Sequence, residues 1–348
     1  MRGPEHHELV LAGRYRLAHV IGRGGMGAIW SGWDDILDRA VAVKQLVPCS
    51  DAEPPETIEQ LWDRARMEAA AAARVQHPRV VAVYDLVEHQ QRPWIIMQHV
   101  QSCPLSHIIH EHGPLPVWQV AELGAQILDA LCAVHDHGVL HRDVTPGNVL
   151  IDHHDAYLAD FGIATLDGAT APGPLAGTPA FVAPECVRGQ RPEPASDVWA
   201  LGATLYTAIE GQSPYAREDA MACLTATITE PPAPMLHGAP LQPLLRRMLA
   251  DDPATRPAPH EIRPVLHQVA AAPLASGQAR HSLSSQHPAA DPVPNTAVRT
   301  RHNEAPLTSA HPDCCLDGRH HTSAGSKDPS VRQRLRPQDL LQPTSRCA

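Results

Sequence analysis

The stretch HRDVTPGNVLIDHHDAYLADFG, residues 141–162, decides how the chain is interpreted. It places Asp143 and Asn148 in one short loop, then an apolar strand and a tight turn, and then Asp160. Three oxygen-bearing side chains that converge near a phosphate suit Mg²⁺, which prefers a few oxygen ligands together with phosphate and water. We therefore predict Asn148 and Asp160 as metal ligands and Asp143 as the group that accepts the proton of an attacking hydroxyl.

A glycine-rich segment, IGRGGMGAIW at residues 21–30, contains Gly22, Gly24 and Gly27 in the spacing G-x-G-x-x-G. Backbone amides in such a loop can approach phosphates closely because no Cβ stands between them. The spacing alone also fits a dinucleotide-binding turn or a plain glycine hairpin. A dinucleotide site would open a helix after the glycines, whereas AIWSGWDD has the composition of a strand and a turn. We therefore predict a hairpin whose backbone faces phosphates.

The chain contains only two lysines, Lys44 and Lys327, among its 28 basic residues. A lone lysine in an arginine-rich chain marks a place where the planar guanidinium will not serve. Lys44 follows the glycine hairpin on the next predicted strand, so we expect its ammonium to reach nucleotide phosphates; a solvated surface lysine is the alternative. Glu68 is the predicted counter-charge, with Glu59 and Asp63 as substitutes.

The order of apolar patterns predicts a small β-rich lobe followed by a larger helical lobe, which is an α+β fold class. Apolar and β-branched runs indicate strands at residues 15–21, 40–46, 77–86 and 93–100. Helical spacing of apolar residues indicates helices at residues 57–75, 117–137, 197–210, 241–249 and 260–269.

Six motifs follow one another in order: the glycine loop, VAVK ending at Lys44, the helix glutamate, HRDxxxxN, DFG and APE. Any one of them arises by chance, but the ordered set is specific. With these motifs the chain resembles the eukaryotic-type Ser/Thr protein kinases of bacteria from about residue 15 to residue 269. The resemblance implies a two-lobed protein-kinase-like fold that transfers the γ-phosphate of ATP to Ser/Thr hydroxyls of protein substrates with Mg²⁺.

The resemblance also implies roles for the remaining site residues. Lys44 and Glu68 would pair beside the phosphates, and Thr178 of GTPAFVAPE would steady the catalytic Asp143. The residues implied to bind the adenine are Ile21, Ile29, Ala42, Leu150, the gatekeeper Met97 and the hinge residues Gln98 and Val100. Ordinary core packing in a kinase fold without ATP explains the same apolar positions, so both interpretations stay open.

Three further positions match the family in the helical lobe. Glu185 of APE is expected to pair with Arg256, and Asp197 is expected to hold the backbone of the catalytic loop. Between DFG and Gly177, only Thr165 and Thr170 offer a hydroxyl that could be phosphorylated.

One residue departs from the family pattern. Thr145 stands where Ser/Thr kinases normally have a lysine that contacts the transferring phosphate, and the following Pro146 and Gly147 do not replace its charge. Loss of one transition-state donor costs about 10²–10³ in kcat, whereas enzymes lower barriers by about 8–23 kcal/mol in total. The sequence therefore favours a slowed Ser/Thr kinase over the alternative, an ATP-binding pseudokinase that acts as a regulatory module.

Composition bounds the location and the partners. The chain has no apolar run of about 18 residues and starts without the apolar core of a signal peptide, so we expect a cytoplasmic protein without a membrane span. From residue 270 onward nine Lys and Arg stand against six Asp and Glu, which leaves 19 against 32 in residues 1–269. This acidic balance argues against nucleic acid as a partner. The resemblance implies protein substrates and allows a homodimer for autophosphorylation.

We predict three segments along the chain. Residues 1–14 are an N-terminal extension, residues 15–269 are the protein kinase domain, and residues 270–348 are a disordered tail. The tail is rich in Pro, Ser and His and lacks apolar periodicity, so it cannot bury enough surface to offset the entropy of ordering.

Overall fold

The computed structural model describes residues 9–24, 27–48, 56–161 and 178–272. Six antiparallel strands form a sheet in the order β1-β2-β3-β4-β6-β5, and a smaller sheet has the order β7-β8-β9. The strands are β1 Val10–Leu11, β2 Tyr15–Gly24, β3 Gly27–Asp34, β4 Arg39–Leu46, β5 Val83–His89, β6 Arg92–Gln98, β7 Cys103–Pro104, β8 Val149–Asp152 and β9 Asp155–Leu158.

Eight α-helices complete the described part of the chain, and all but the first follow the six-stranded sheet. They are α1 Ile58–Arg74, α2 Leu105–His112, α3 Val117–Asp136, α4 Pro184–Val187, α5 Pro194–Glu210, α6 Ala220–Thr229, α7 Gln242–Met248 and α8 Pro259–Ala271. The predicted division into a β-rich lobe and a larger helical lobe is confirmed.

Strand β4 carries Lys44, and the alternation of its side chains decides what Lys44 faces. Successive side chains of a strand point to opposite faces of the sheet. Val41 and Val43 join one apolar cluster, whereas Ala42 and Leu46 join another that also contains residues of α1. Lys44 shares the face of Ala42 and Leu46, where it is only 5% exposed. A buried ammonium of this kind requires charged partners.

Helix α1 connects the two lobes. It begins with a capping box, in which the Gln60 N–H donates to the Thr57 hydroxyl and the Thr57 N–H donates to the Gln60 side chain. Leu61 and Ala65 are fully buried against the six-stranded sheet. Ala72, two turns further on, belongs to the apolar core of the helical lobe. The helix therefore packs into both cores at once.

Helix α3 forms the centre of the helical lobe. Among the described residues it is the one helix long and apolar enough to cross a membrane, by an 18-residue window of mean hydropathy 1.3, and 61% of that window is buried inside the protein. Because α3 packs against α5, α8 and β9, burial on several sides accounts for its apolar composition. Such a helix is weak support for a membrane span.

The folded region extends past both predicted domain boundaries. Strand β1 pairs with β2 ahead of residue 15, and Leu11 is fully buried. At the other end α8 continues to Ala271, so the boundary at residue 270 falls in the last turn of the helix. Residues 1–8 and 273–348, which include nearly all of the predicted tail, lie outside the described residues.

One strand prediction is wrong in its first half, and three helices were not predicted: α2, the single turn α4, and α6. Residues 77–82 precede β5 rather than belong to it, because Pro78 lacks a backbone donor and the Val80 N–H turns back to the His77 carbonyl at 3.0 Å. Helices α2 and α6 are short, with eight and ten residues. Segments of that length carry too few helical repeats for a clear apolar pattern.

A buried ion pair joins APE to the end of the helical lobe. Arg256 donates two 2.7 Å hydrogen bonds to the Glu185 carboxylate, as predicted, and its other N–H groups donate to the carbonyls of Ala250, Ala195 and Asp251. All five donors of the guanidinium are thereby used. Burial alone would raise the pKa of Glu185, but the hydrogen bond from Arg256 holds that pKa below its ordinary value.

We expect Arg256→Leu to lower the free energy of unfolding by about 3–5 kcal/mol, because it leaves the buried Glu185 carboxylate without its counter-charge. The matched control is Arg247→Leu, which removes the pair of Arg247 with Glu261, whose side chains are 53% and 41% exposed. That variant should lose far less stability, because water already screens the exposed pair. Urea unfolding of both variants measures the difference, and equal losses would contradict the assignment.

Candidate active site

Lys44 lies between two carboxylates from different elements. Its Nζ is 2.7 Å from Glu68 Oε1 on α1 and 3.1 Å from Asp160 Oδ1, which follows β9. Burial on its own would lower the pKa of Lys44, but Asp160 and Glu68 outweigh it and raise that pKa above the ordinary value. The pairing of Lys44 with Glu68 that the sequence predicted is therefore observed, and Lys44 is charged at neutral pH.

Asp143 is held in place by the neighbouring Asn148. The Asn148 Nδ2 donates to the Asp143 carbonyl at 2.9 Å and to its Oδ2 at 2.6 Å. Burial raises the pKa of Asp143 to about 6, although the Asn148 hydrogen bond opposes that rise. At neutral pH the carboxylate is ionised but close to the pH at which a base accepts protons efficiently. Its geometry and its pKa both suit a proton acceptor.

The backbone of the catalytic loop is fixed by Asp197 of α5. Its two carboxylate oxygens accept the N–H groups of His141 and Arg142 at 2.9 and 2.8 Å, and Oδ2 also lies 2.7 Å from His135 Nε2. Arg142 has a φ of 67°, a left-handed conformation that is costly for a residue with a long side chain. The predicted role of Asp197 is confirmed as a contact, and these hydrogen bonds hold the strained residue.

His141 connects the catalytic loop to the DFG segment. Its Nδ1 accepts the Asp143 N–H at 3.4 Å, its Nε2 donates to the Ala159 carbonyl at 3.2 Å, and its ring lies 5.0 Å from that of Phe161. This pattern requires the neutral ring with the proton on Nε2. Complete burial lowers the pKa of His141 to about 4. Apart from the position of the histidine before Asp143, no sequence signal predicted this role.

The donors near Lys44 fit Mg²⁺ that arrives with a nucleotide. Because the Nδ2 of Asn148 donates to Asp143, the Oδ1 of Asn148 is the atom that would serve as a metal ligand, together with the Asp160 carboxylate. Within the described ranges no group of three His, Cys, Asp or Glu side chains could hold a metal. Mg²⁺ usually takes one or two carboxylates and completes its shell with phosphate and water. Asp160 has a φ of 57°, so its backbone is also strained.

Gly22 and Gly27 of the hairpin are glycines for different physical reasons. A Cβ on Gly27 would lie 1.8 Å from the Gln45 carbonyl oxygen of β4, so packing alone requires glycine there, and its φ is 136°. A Cβ on Gly22 would meet nothing closer than 3.8 Å, the distance to Ile29. Contacts within the described residues therefore do not require glycine at position 22. A ligand that approaches this backbone would explain it. Gly24 ends β2 beside residues 25–26, which are not described.

The predicted adenine residues come together with one exception. Ala42 and Met97 belong to the apolar cluster on the Lys44 face of the sheet, and Ile29, Val100 and Leu150 pack against it. Ile21 is 47% exposed and lies outside this cluster. The Gln98 N–H already donates to the Ala82 carbonyl at 2.8 Å, so any bond from Gln98 to a base must come from its carbonyl.

Comparison with known proteins agrees with this geometry. The model of the protein kinase domain matches residues 15–267. The chain belongs to the protein kinase domain family. It is 40% identical over 262 residues to the serine/threonine-protein kinase PknK of Mycobacterium tuberculosis strain H37Rv, which covers 72% of this chain and 23% of that protein.

Two other similar kinases cover comparable parts of the chain. The serine/threonine-protein kinase PknA of the same strain is 36% identical over 259 residues, which are 71% of this chain and 59% of PknA. PknB of Mycolicibacterium smegmatis is 34% identical over 244 residues, which are 67% of this chain and 38% of PknB. The chain thus matches only part of each relative, from about a quarter to about three fifths of its length.

Two threonines of the kinase domain have predicted roles in its chemistry. Thr145 is 4% exposed, and its carbonyl accepts the N–H groups of Asn148 and Val149 at 3.0 and 3.2 Å, so it shapes the loop that holds Asp143. Thr178 is exposed, and no hydrogen bond joins it to Asp143 within the described residues. Its predicted role therefore stays a prediction.

The two predicted phosphorylation positions, Thr165 and Thr170, lie outside the described residues.

Of the contacts that sequence reasoning missed, the most direct is a hydrogen bond from the Thr204 hydroxyl to the Val144 carbonyl at 2.9 Å. Together with Asp197, it ties the catalytic loop to α5. A buried threonine in a helix carries no sequence signal for such a partner.

The buried His141 predicts how stability depends on pH. The pKa of His141 is 6.5 when exposed and about 4 in the folded protein. Between pH 4 and pH 6.5 the ring is therefore protonated in the unfolded chain but neutral in the folded one. Of the charged groups that face it, Asp197 and Asp160 favour the protonated ring and His135 opposes it. The free energy of unfolding should therefore fall by roughly 3 kcal/mol as pH drops from 6.5 to 4.

The measurement is urea unfolding at pH 7, 6 and 5 for the wild type and His141→Phe, which keeps a ring beside Phe161 but cannot titrate. The variant should be less stable at pH 7 and should lose less stability on acidification. Parallel curves for the two proteins would show that His141 is not the group responsible.

Gly22→Ala and Gly27→Ala should separate ligand binding from folding. Gly22→Ala should keep the thermal midpoint but weaken ATP binding, because its methyl group stands where the backbone would approach phosphate. Gly27→Ala should lower the thermal midpoint, because its Cβ would overlap β4. Thermal unfolding and ATP titration of both variants check this, and unchanged ATP affinity in Gly22→Ala would contradict a phosphate site at this backbone.

Proposed function

We propose that the chain is a serine/threonine protein kinase that transfers the γ-phosphate of ATP to Ser or Thr hydroxyls of protein substrates. The observation that supports this most is the position of Lys44, whose ammonium lies within 3.1 Å of Glu68 and Asp160 in a buried site. The names of PknK and PknA, both serine/threonine-protein kinases, support the choice of hydroxyl.

Each residue of the site has a step that its geometry suits. Lys44, oriented by Glu68, holds the phosphates of ATP, while the backbone at Gly22 approaches them from the hairpin. The substrate hydroxyl oxygen bonds to the γ-phosphorus as the bond to the bridging oxygen of ADP breaks, and its proton passes to Asp143. Mg²⁺, when bound at Asn148 and Asp160, neutralises charge on the phosphates.

Charge balance supports the same assignment. Three carboxylates, Glu68, Asp143 and Asp160, interact with the one ammonium of Lys44. A buried site with more negative than positive charge is unstable unless a cation joins it. A divalent cation that accompanies ATP would supply that charge.

Thr145 favours a second candidate, an ATP-binding pseudokinase that acts through its conformation. The side chain at this position is neutral and 4% exposed, so it offers the transferring phosphate no charge. We retain the enzyme as the main proposal because Lys44, Glu68, Asp143 and Asp160 keep the contacts described above. A cytoplasmic location and autophosphorylation in a homodimer are further parts of the proposal.

Single-turnover phosphoryl transfer by wild type, Asp143→Asn and Thr145→Lys decides between the two candidates. We expect wild type to exceed Asp143→Asn clearly, because only the wild type can accept the hydroxyl proton. Thr145→Lys should raise kcat more than ATP affinity, because the added charge acts where negative charge passes between oxygens. The gain should stay below the factor of about 10²–10³ typical of deleting one such donor.

ATP binding, measured in parallel, is the control. If wild type and Asp143→Asn transfer phosphate equally poorly while both bind ATP, the pseudokinase is the correct assignment. If neither binds ATP, both candidates are excluded.

A further inference from the structure

A buried arginine lies one helical turn before Glu68 on α1. Arg64 is 9% exposed, although a side chain of this kind normally reaches water. Its Nε and Nη2 donate to the two carboxylate oxygens of Glu56 at 3.0 and 2.9 Å, and Nη2 also donates to the Val47 carbonyl at 3.1 Å. The guanidinium is therefore held in one orientation.

The Val47 carbonyl relates this contact to the active site. Val47 directly follows β4, the strand that carries Lys44. Residues four apart on a helix lie on the same side, so Arg64 and Glu68 both face β4. Helix α1 is thus tied to one strand at two points a turn apart, through Arg64 to Val47 and through Glu68 to Lys44.

The packing of α1 does not by itself fix this alignment. The residues that α1 buries fully against the sheet are Leu61 and the small Ala65, and apolar contacts of this kind carry no direction. Hydrogen bonds to a carbonyl and a carboxylate are directional. The Glu56 carboxylate, just before α1, orients the guanidinium, and the hydrogen bond from Arg64 to the Val47 carbonyl restricts rotation of α1 about its axis and sliding along β4.

We propose that Arg64 is a positioning residue that aligns α1 with β4 so that Glu68 meets Lys44. This inference rests on the proposed kinase function for its catalytic consequence, but the alignment itself can be measured without activity. Burial raises the pKa of Glu68, and the charges of Lys44 and Arg64 oppose that rise. Arg64 thus also favours the ionised form that Lys44 requires.

The scarcity of lysine makes the alignment measurable. Acetylation of amines by sulfosuccinimidyl acetate, followed by peptide mass spectrometry, has only Lys44 and Lys327 as lysine targets. In the wild type Lys44 should react slowly, because its side chain is 7% exposed and paired with Glu68. The ratio of Lys44 to Lys327 labelling corrects for reagent dose in every variant.

We expect Arg64→Met to raise that ratio several-fold, towards the value of Glu68→Gln. The matched control is Arg66→Met on the same helix, because Arg66 is 62% exposed and contacts Asp63 and the Trp62 ring, both on α1 itself. Its labelling ratio should equal that of the wild type. Arg64→Gln is a second, smaller change, to be used if Arg64→Met proves unfolded by circular dichroism.

Kinetics tests whether Arg64 acts through Glu68. Arg64→Met should lower kcat by roughly tenfold or more, because small misplacements of a catalytic group have large effects, while the Kd for ATP changes little. In a Glu68→Gln background the same substitution should have almost no further effect on kcat. Equal losses in both backgrounds would show that Arg64 supports only the fold.

The two measurements separate the possible failures. Unchanged Lys44 labelling in a folded Arg64 variant overturns the inference whatever the activity. Raised labelling in Arg64→Met, together with a wild type that shows no phosphoryl transfer, supports the alignment and overturns the proposed function alone.

Discussion

The structure depends on one buried ammonium that neutralises carboxylates from two elements. Lys44 sits on a strand of one sheet, Glu68 on a helix above it, and Asp160 on the segment that leads out of the smaller sheet. Lys44 and Glu68 are buried deeply enough that neither charge would be stable without a partner, and Asp160 adds a second carboxylate beside Lys44. Their mutual attraction therefore fixes the relative positions of the strand, the helix and the DFG segment, and the hairpin and the catalytic loop are arranged around them.

Backbone strain in this site falls on two residues, and a few hydrogen bonds hold them in place. Arg142 and Asp160 both have left-handed backbone conformations, and both neighbour residues that the proposed reaction uses. Asp197 holds the first of them through two backbone N–H groups, and His141 joins the two segments through the Ala159 carbonyl. Because His141 must be neutral to make these contacts, the same ring that aligns the site also limits its stability in acid.

The sequence predicted most of the site because its signals are local. Lys44 was identifiable from the near absence of other lysines, whereas its burial became evident only from the face of β4 on which it lies. The Glu185–Arg256 pair was predicted from a resemblance, and the structure contains it. Strand β1 was not predicted because its two residues are too few to show the alternation of apolar and polar side chains that marks a strand. The partners of Arg64 were also missed, since a helical sequence does not reveal which strand carbonyl lies beside it, and the different reasons for Gly22 and Gly27 depend on a distance to another strand.

Helix α1 behaves mechanically as a lever, because its first turns are anchored in the sheet and Ala72 is anchored in the helical lobe. A change in the angle between the lobes must tilt it, and the tilt moves Glu68 relative to a lysine that cannot follow. The angle between the lobes therefore determines how closely Glu68 approaches Lys44. A contact that changed this angle, even far from the nucleotide, would therefore alter the Glu68–Lys44 pair without touching either residue.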